Sequence, residues 1–167
     1  MSEALKEAEK ARALGEIPIG AVIVRDGEII GRGHDMTESE KDPTAHAEMI
    51  AIREAASVLG GWRLTGCQMY VTAEPCCMCA GAAVWTRIEK LYIGVTEPKS
   101  GACGSLYNIV QDERLNHCVE VETGLMEEQC RHILKSFFRR RREEIKRVGN
   151  WKQARLTKEK ESEDTLE

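Results

Sequence analysis

A chain of 167 residues, 42% hydrophobic and 31% charged, is enough for one compact domain with a buried core. No apolar run nears the roughly 18 residues that span a bilayer, and the start, Met1-Ser2-Glu3-Ala4-Leu5-Lys6, is amphipathic rather than a signal segment, so a cytoplasmic protein with no membrane partner is expected. A net charge of −4, taken by itself, argues against a polyanion-binding protein.

In chain order, Ala4 to Leu14 has helical apolar spacing and Gly15 stops it. Pro18 to Val24 is a β-branched run. Asp26-Gly27 gives a hairpin turn, and Glu28 to Gly33 returns as a second strand. Met36 to Asp42 is a polar loop. A helix starts at Pro43 or Thr44 and runs to about Leu59, where Gly60-Gly61 ends it. Gln68 to Thr72 is a third strand. Pro75 opens a helix to about Trp85, since its missing N–H costs nothing in a first turn. Lys90 to Gly94 is a fourth strand. From Glu97 to Asn116 the chain is loop-rich, with one helical turn at Ser105 to Val110, and Val119 to Val121 is the candidate fifth strand. Met126 to Lys135 and Ser136 to about Val148 are two helices. Asn150 to Glu167 has almost no apolar content and is expected to fray. Strands alternating with helices indicate an α/β sandwich with a mixed sheet. The expected domain is 1–149, with a polar, disordered tail at 150–167.

The chemistry concentrates in two places. His46-Ala47-Glu48 is H-x-E, and Pro75-Cys76-Cys77-Met78-Cys79 is P-C-x-x-C. One imidazole and two thiolates are three zinc ligands and leave a fourth position for water. Cys76 and Cys79 lie three apart, so on a helix they share a face. Glu48, two residues from His46, can move protons for that water without binding the metal. A lone C-x-x-C is weak, because redox pairs and structural zinc also produce it. A closed structural site with Cys77 as fourth ligand is the main alternative, and an adjacent base has no use in such a site. The other five cysteines are expected to be reduced, mostly buried small residues.

Charge is unevenly placed. Residues 131–160 carry 12 Lys/Arg against 3 Asp/Glu, while residues 1–130 carry 12 against 21. Four consecutive arginines, Arg139 to Arg142, either make a solvated helix face or meet phosphates.

The H-x-E and P-C-x-x-C pair matches the signature of the zinc nucleobase deaminases. Around it stand Pro18-Ile19-Gly20-Ala21-Val22, Asp42-Pro43-Thr44-Ala45, Trp62-Arg63-Leu64, Gly104-Ser105-Leu106, Asn116-His117 and Phe137-Phe138-Arg139. With these the chain, from about Ala4 to Arg147, resembles the bacterial tRNA adenosine deaminases, within the zinc-dependent cytidine/deoxycytidylate deaminase superfamily. The resemblance implies a cytidine-deaminase-like fold, a three-layer α/β/α sandwich around a mixed five-stranded sheet. It implies hydrolytic conversion of adenosine to inosine at the wobble position of an arginine tRNA, with one Zn²⁺ per chain, water as nucleophile and no nucleotide cofactor. The implied partners are a tRNA anticodon stem-loop and a second copy of the chain. It places Lys99 and Arg142 at the RNA backbone and Asp35 near the substrate. Phe137 and Phe138 are core residues or border the anticodon loop. Three positions depart from the family pattern. Asp35 stands where an Asn is usual, Glu97 where an Asp is usual, and Cys118 where Asn-His is usually followed by Arg. These leave deamination untouched but keep open an alternative, a deaminase of a free purine base or nucleoside such as guanine.

Overall fold

The structure is a computed structural model that describes residues 1–163, with side chains through Gly149. Its elements are α1 (Ser2–Leu14), β1 (Gly20–Arg25), β2 (Glu28–His34), α2 (Thr37–Glu40), α3 (Ala47–Leu59), β3 (Gln68–Ala73), α4 (Cys77–Trp85), β4 (Lys90–Val95), β5 (Glu120–Thr123) and α5 (Glu127–Glu163). The chain divides into two compact units, Met1–Leu134 and the stretch from Lys135 onward.

One five-stranded sheet has the order β2-β1-β3-β4-β5. β1 is antiparallel to both β2 and β3, while β3, β4 and β5 run parallel, so the sheet is mixed as expected. The β1–β2 turn has φ of 52° at Asp26 and 81° at Gly27. Positive φ at both central residues matches the twist of the flanking strands, which is why Asp-Gly is favoured there.

The two faces of the sheet are covered by different helices. Ala21 pairs with Gly33 and Ile23 with Gly31, so these four share one face. A Cβ on Gly33 would stand 2.0 Å from the Ala47 carbonyl oxygen, which places α3 directly on that face. Gly20 points the other way, against Ala4 and Ala8 of α1. The main core lies on the α3/α4 side. It includes Ile23, Leu64, Met69, Ile88, Leu91 and Ile93, all fully buried, each contributing about 1.5–3 kcal/mol. A smaller cluster of Ala73, Val95 and Cys130, with Leu5 and Leu134 packed on it, lies beneath α1 and the first turns of α5. Helix, sheet and helix thus make the three layers within residues 1–134.

β2 and β3 run in the same direction, and β4 is parallel to β3. Their carboxyl ends therefore meet at one edge of the sheet. α3 follows β2, α4 follows β3, and a long loop follows β4, all at that edge. In open α/β sheets such an edge is where ligands bind.

Several boundaries differ from the sequence reading. The helix expected from Pro43 or Thr44 begins at Ala47. Asp42 Oδ1 accepts from the Thr44 N–H at 2.8 Å and from its hydroxyl at 2.7 Å, so Asp-Pro-Thr forms a side-chain-closed turn ahead of the helix. Pro75 precedes the N-cap Cys76 instead of opening the helix. The loop expected at Met36 to Asp42 contains α2. The helical turn expected at Ser105 to Val110 is instead a turn segment with a Cys103–Asn108 bridge. The two C-terminal helices are one, α5, because nothing between Lys135 and Ser136 interrupts the backbone hydrogen bonds. The tail expected from Asn150 continues as helical backbone to Glu163, and residues 164–167 lie outside the described residues. No helix among the described residues is long and apolar enough to cross a membrane.

Candidate active site

His46 is the N-cap of α3 and Cys76 the N-cap of α4, both with extended backbone (φ −74°, ψ 152° and φ −73°, ψ 176°). Neither side chain caps its own helix. Both turn instead into the space between the two helix starts. Cys79 is one turn further along α4 and is buried. The ligand atoms of His46, Cys76 and Cys79 all lie within 4.8 Å of one another. His46 Nδ1 is 3.7 Å from Cys76 Sγ and 3.6 Å from Cys79 Sγ.

These distances allow a test of zinc. Tetrahedral bonds of about 2.3 Å to sulfur and 2.0–2.1 Å to nitrogen place S and N about 3.6 Å apart. The group already has that spacing, and two thiolates with a neutral imidazole balance the charge of Zn²⁺. Cys77 is exposed and stands outside the group.

The thiol chemistry agrees. Hydrogen bonds from the Cys79 thiol and from His46 push Cys76 down to about 3, while the same Cys76 bond and burial push Cys79 up. The pair thus shares one proton more readily than it holds two, as two sulfurs close enough to hydrogen-bond should. A metal displaces that proton. The helix N-terminus adds partial positive charge at both sulfurs. His46 is raised, first by its hydrogen bond with Cys76, with the charges of Glu48 and Asp35 contributing.

Glu48 is the second residue of α3, only 4% exposed. Burial pushes its carboxyl up to about 7, against its backbone N–H, the His46 charge and a Cys79 hydrogen bond. A carboxyl titrating near neutrality can both take and give a proton at working pH.

Asp35 follows the end of β2 and is also buried. Its Oδ1 accepts from the Thr37 N–H at 3.3 Å and from the Thr37 hydroxyl at 2.8 Å. Glu16, buried in the turn after α1, accepts from the N–H groups of Glu38 and Ser39 at 3.3 and 2.6 Å. The two carboxylates together hold the start of α2. Lys99 is exposed in the loop after β4, and its N–H donates to Glu97 Oε1 at 3.1 Å. Arg142 is exposed on α5, in the second unit, as are Arg139 to Arg141. Phe137 is buried and Phe138 is 41% exposed. The Asn116-His117-Cys118 segment is held by bonds from Arg87 to the Asn116 carbonyl and from His117 Nε2 to the Ile88 carbonyl, with Cys118 exposed.

Glu74, between the end of β3 and Pro75, is the hub of the loop after β4. Its carboxylate accepts from the N–H groups of Glu97 (2.9 Å), Cys103 (3.0 Å) and Ser105 (3.0 Å), and from the Ser105 hydroxyl. Burial alone would raise it, but the Ser105 and backbone donors outweigh that and hold it below the usual carboxylate range. Gly101, in a β-bridge with Cys76, has no signature in the sequence.

Residues 1–95 match the cytidine and deoxycytidylate deaminase zinc-binding region. A tRNA-specific adenosine deaminase of Bacillus subtilis (strain 168) is 53% identical over 146 residues, covering 87% of this chain and 91% of the relative. A solved structure from work on A-to-I editing by tRNA:A34 deaminases at the wobble position of transfer RNA superposes with a TM-score of 0.77 at 44% identity, covering 80% of this chain and 97% of that one. A guanine deaminase structure from Bacillus subtilis is 42% identical but superposes with a TM-score of 0.54 over 57% of this chain and 61% of its own. With a zinc-spaced His/Cys/Cys group beside a buried glutamate and these relatives, the chain belongs to the tRNA-specific adenosine deaminase family.

Proposed function

We propose that this chain deaminates adenosine to inosine at the wobble position of a tRNA anticodon, an arginine tRNA in the first instance, with zinc held by His46, Cys76 and Cys79. The observation that carries the reading is the 3.6–3.7 Å sulfur–nitrogen spacing with the buried Glu48 beside it. Bound there, zinc supplies Lewis acidity that brings the pKa of a water close to neutrality. Glu48 accepts the proton of the water that attacks C6 and delivers it to N1 of the purine. It then takes the remaining proton from the C6 hydroxyl of the tetrahedral intermediate and passes it to the amine, which departs as ammonia. Adenosine and water become inosine and ammonia, and the carboxylate returns to its starting state.

The wall over the site comes from the carboxyl ends of β2 and β4. Asp35 stands on one side and the loop bearing Lys99 on the other, where an ammonium group suits an RNA phosphate. Arg142, with Arg139 to Arg141, offers further phosphate contacts. A second copy of the chain is the expected partner. Exposed Trp85, Leu106, Tyr107 and Leu115 are apolar side chains of the kind a subunit interface covers. A tRNA substrate places the enzyme in the cytoplasm.

Asp35, an acceptor where the family carries an amide, favours the second reading, a free purine such as guanine. One experiment separates the two. The zinc-loaded protein is incubated with an arginine-tRNA anticodon stem-loop, and in parallel with free adenine, guanine and cytidine. Inosine in the stem-loop alone is expected. Xanthine from guanine with no inosine in RNA would replace the first reading by the second.

A further inference from the structure

The loop after β4 owes its shape to one side chain. β3 ends at Ala73, and Glu74 continues the pairing by donating its N–H to the Val95 carbonyl at 2.9 Å. Glu74 is 6% exposed. Oε1 takes the N–H groups of Cys103 and Ser105, and Oε2 takes the N–H of Glu97 and the Ser105 hydroxyl. Three residues spread over one loop thus converge on a single carboxylate. The loop passes so close that a Cβ on Gly101 would stand 2.4 Å from Glu74 Cδ and 2.5 Å from the Glu97 carbonyl oxygen. Two further ties join the loop to the start of α4. The Ala102 N–H donates to the Pro75 carbonyl at 2.8 Å, and Gly101 is bridged to Cys76. Pro75 and Cys76 follow Glu74 directly, so the loop and the start of α4 are bound into one piece. Lys99 sits on the exposed crest of that loop.

We infer that Glu74 is a positioning residue which holds the 97–105 loop as a wall beside the Cys76 end of the site, and so sets affinity for the RNA rather than the rate of proton transfer. The inference rests on the tRNA reading above. Its geometry makes a specific demand. A glutamine at position 74 keeps one acceptor oxygen, which best serves the Cys103 and Ser105 N–H pair. Its amide nitrogen then faces the Ser105 hydroxyl, which can turn to accept, and the Glu97 N–H, which cannot. The loop should loosen at Glu97 first.

The test compares wild type, Glu74→Gln and the milder Ser105→Ala as full-length, zinc-loaded proteins. Zinc content, Tm, KM and kcat on the anticodon stem-loop, and amide hydrogen exchange of the RNA-free protein are measured. Expected for Glu74→Gln are unchanged zinc, kcat within about threefold of wild type and KM raised roughly tenfold or more, with Glu97 exchange accelerated above that of Cys103. Ser105→Ala should shift KM the same way by less. A lowered Tm with unchanged KM in the folded protein would overturn the inference, and so would loss of zinc or a fall in kcat alone. Should wild type leave the stem-loop untouched, the tRNA reading fails. The exchange pattern, which needs no substrate, then decides whether Glu74 holds the loop.

Discussion

The division of labour among the cysteines and acids around His46 follows from where each side chain points. Cys76 and Cys79 face the imidazole while Cys77, between them, faces solvent. Cys79→Ala is therefore expected to lose most of its zinc, and Cys77→Ala to keep it, as measured by metal analysis after dialysis. Equal loss from both would mean that Cys77 closes the site. Glu48 is buried and lies outside the ligand group, so Glu48→Gln should retain zinc and fold while turnover falls by at least roughly a hundredfold, the scale of general acid–base catalysis. Residual turnover within tenfold of wild type would assign the proton transfers to another group. Asp35 is one of the three positions, with Glu97 and Cys118, at which the resemblance leads one to expect a different residue. One carboxylate oxygen is committed to Thr37, and an asparagine carbonyl can take over both of those bonds. The second oxygen would become an NH₂ donor, able to meet an acceptor nitrogen of adenine that an ionised carboxylate repels. Asp35→Asn is expected to lower KM for the stem-loop by about ten- to a hundredfold, the cost of a mismatched buried pair. An unchanged KM would remove Asp35 from the base-binding surface.

At the level of elements, the site exists because two helices start at the same sheet edge, and their starts are placed by close packing. α3 lies against β2 where Gly31 and Gly33 offer no side chain, and Ala47, Ala51 and Ala55 face them. A methyl at Gly33 would meet Ala47 O at 2.0 Å and Ala51 N at 2.7 Å, both backbone atoms that cannot rotate away. Gly33→Ala should therefore cost about 1–3 kcal/mol, or roughly 3–10 °C in Tm. Ala47 adjoins His46, so zinc affinity should fall with it, whereas a lowered Tm at unchanged zinc affinity would show that α3 shifts without moving its cap. Much of this frame is legible in the sequence. The strands reveal themselves by β-branched runs and the Asp-Gly turn, and the ligand set by H-x-E with P-C-x-x-C. What is not legible depends on distant partners. The start of α3 is displaced to Ala47 by a turn closed through the Asp42 side chain. α2 is held by Glu16, 22 and 23 residues before the N–H groups it binds. The 97–105 loop takes its form from Glu74, just past the end of β3, and no local pattern in Glu97 to Ser105 encodes that.

For the whole molecule, charge placement matters more than its sum. A net charge of −4 conceals an acidic stretch over residues 1–130 and a basic one over 131–160. The acidic share is partly spent on local pairs. Glu3 and Glu7 engage Lys6, Lys10 and Arg32, and Glu120 and Glu122 engage Lys90. Arg140 approaches Glu144 at 3.5 Å, an exposed pair that contributes at most about 1 kcal/mol. Neutralising Arg139 to Arg142 with glutamine should therefore leave Tm nearly unchanged. If these side chains meet phosphates, every phosphate left without its arginine keeps the counterion that binding would otherwise release. The slope of log affinity for a single-stranded anticodon loop against log salt should then become shallower by about 0.7 per phosphate. KM for RNA should rise at physiological salt, while kcat at saturating substrate should hold, because none of the four belongs to the group around His46. Identical salt slopes in the two proteins would show that the arginines meet only water or acidic neighbours such as Glu144, and would leave the loop carrying Lys99 to hold the RNA backbone.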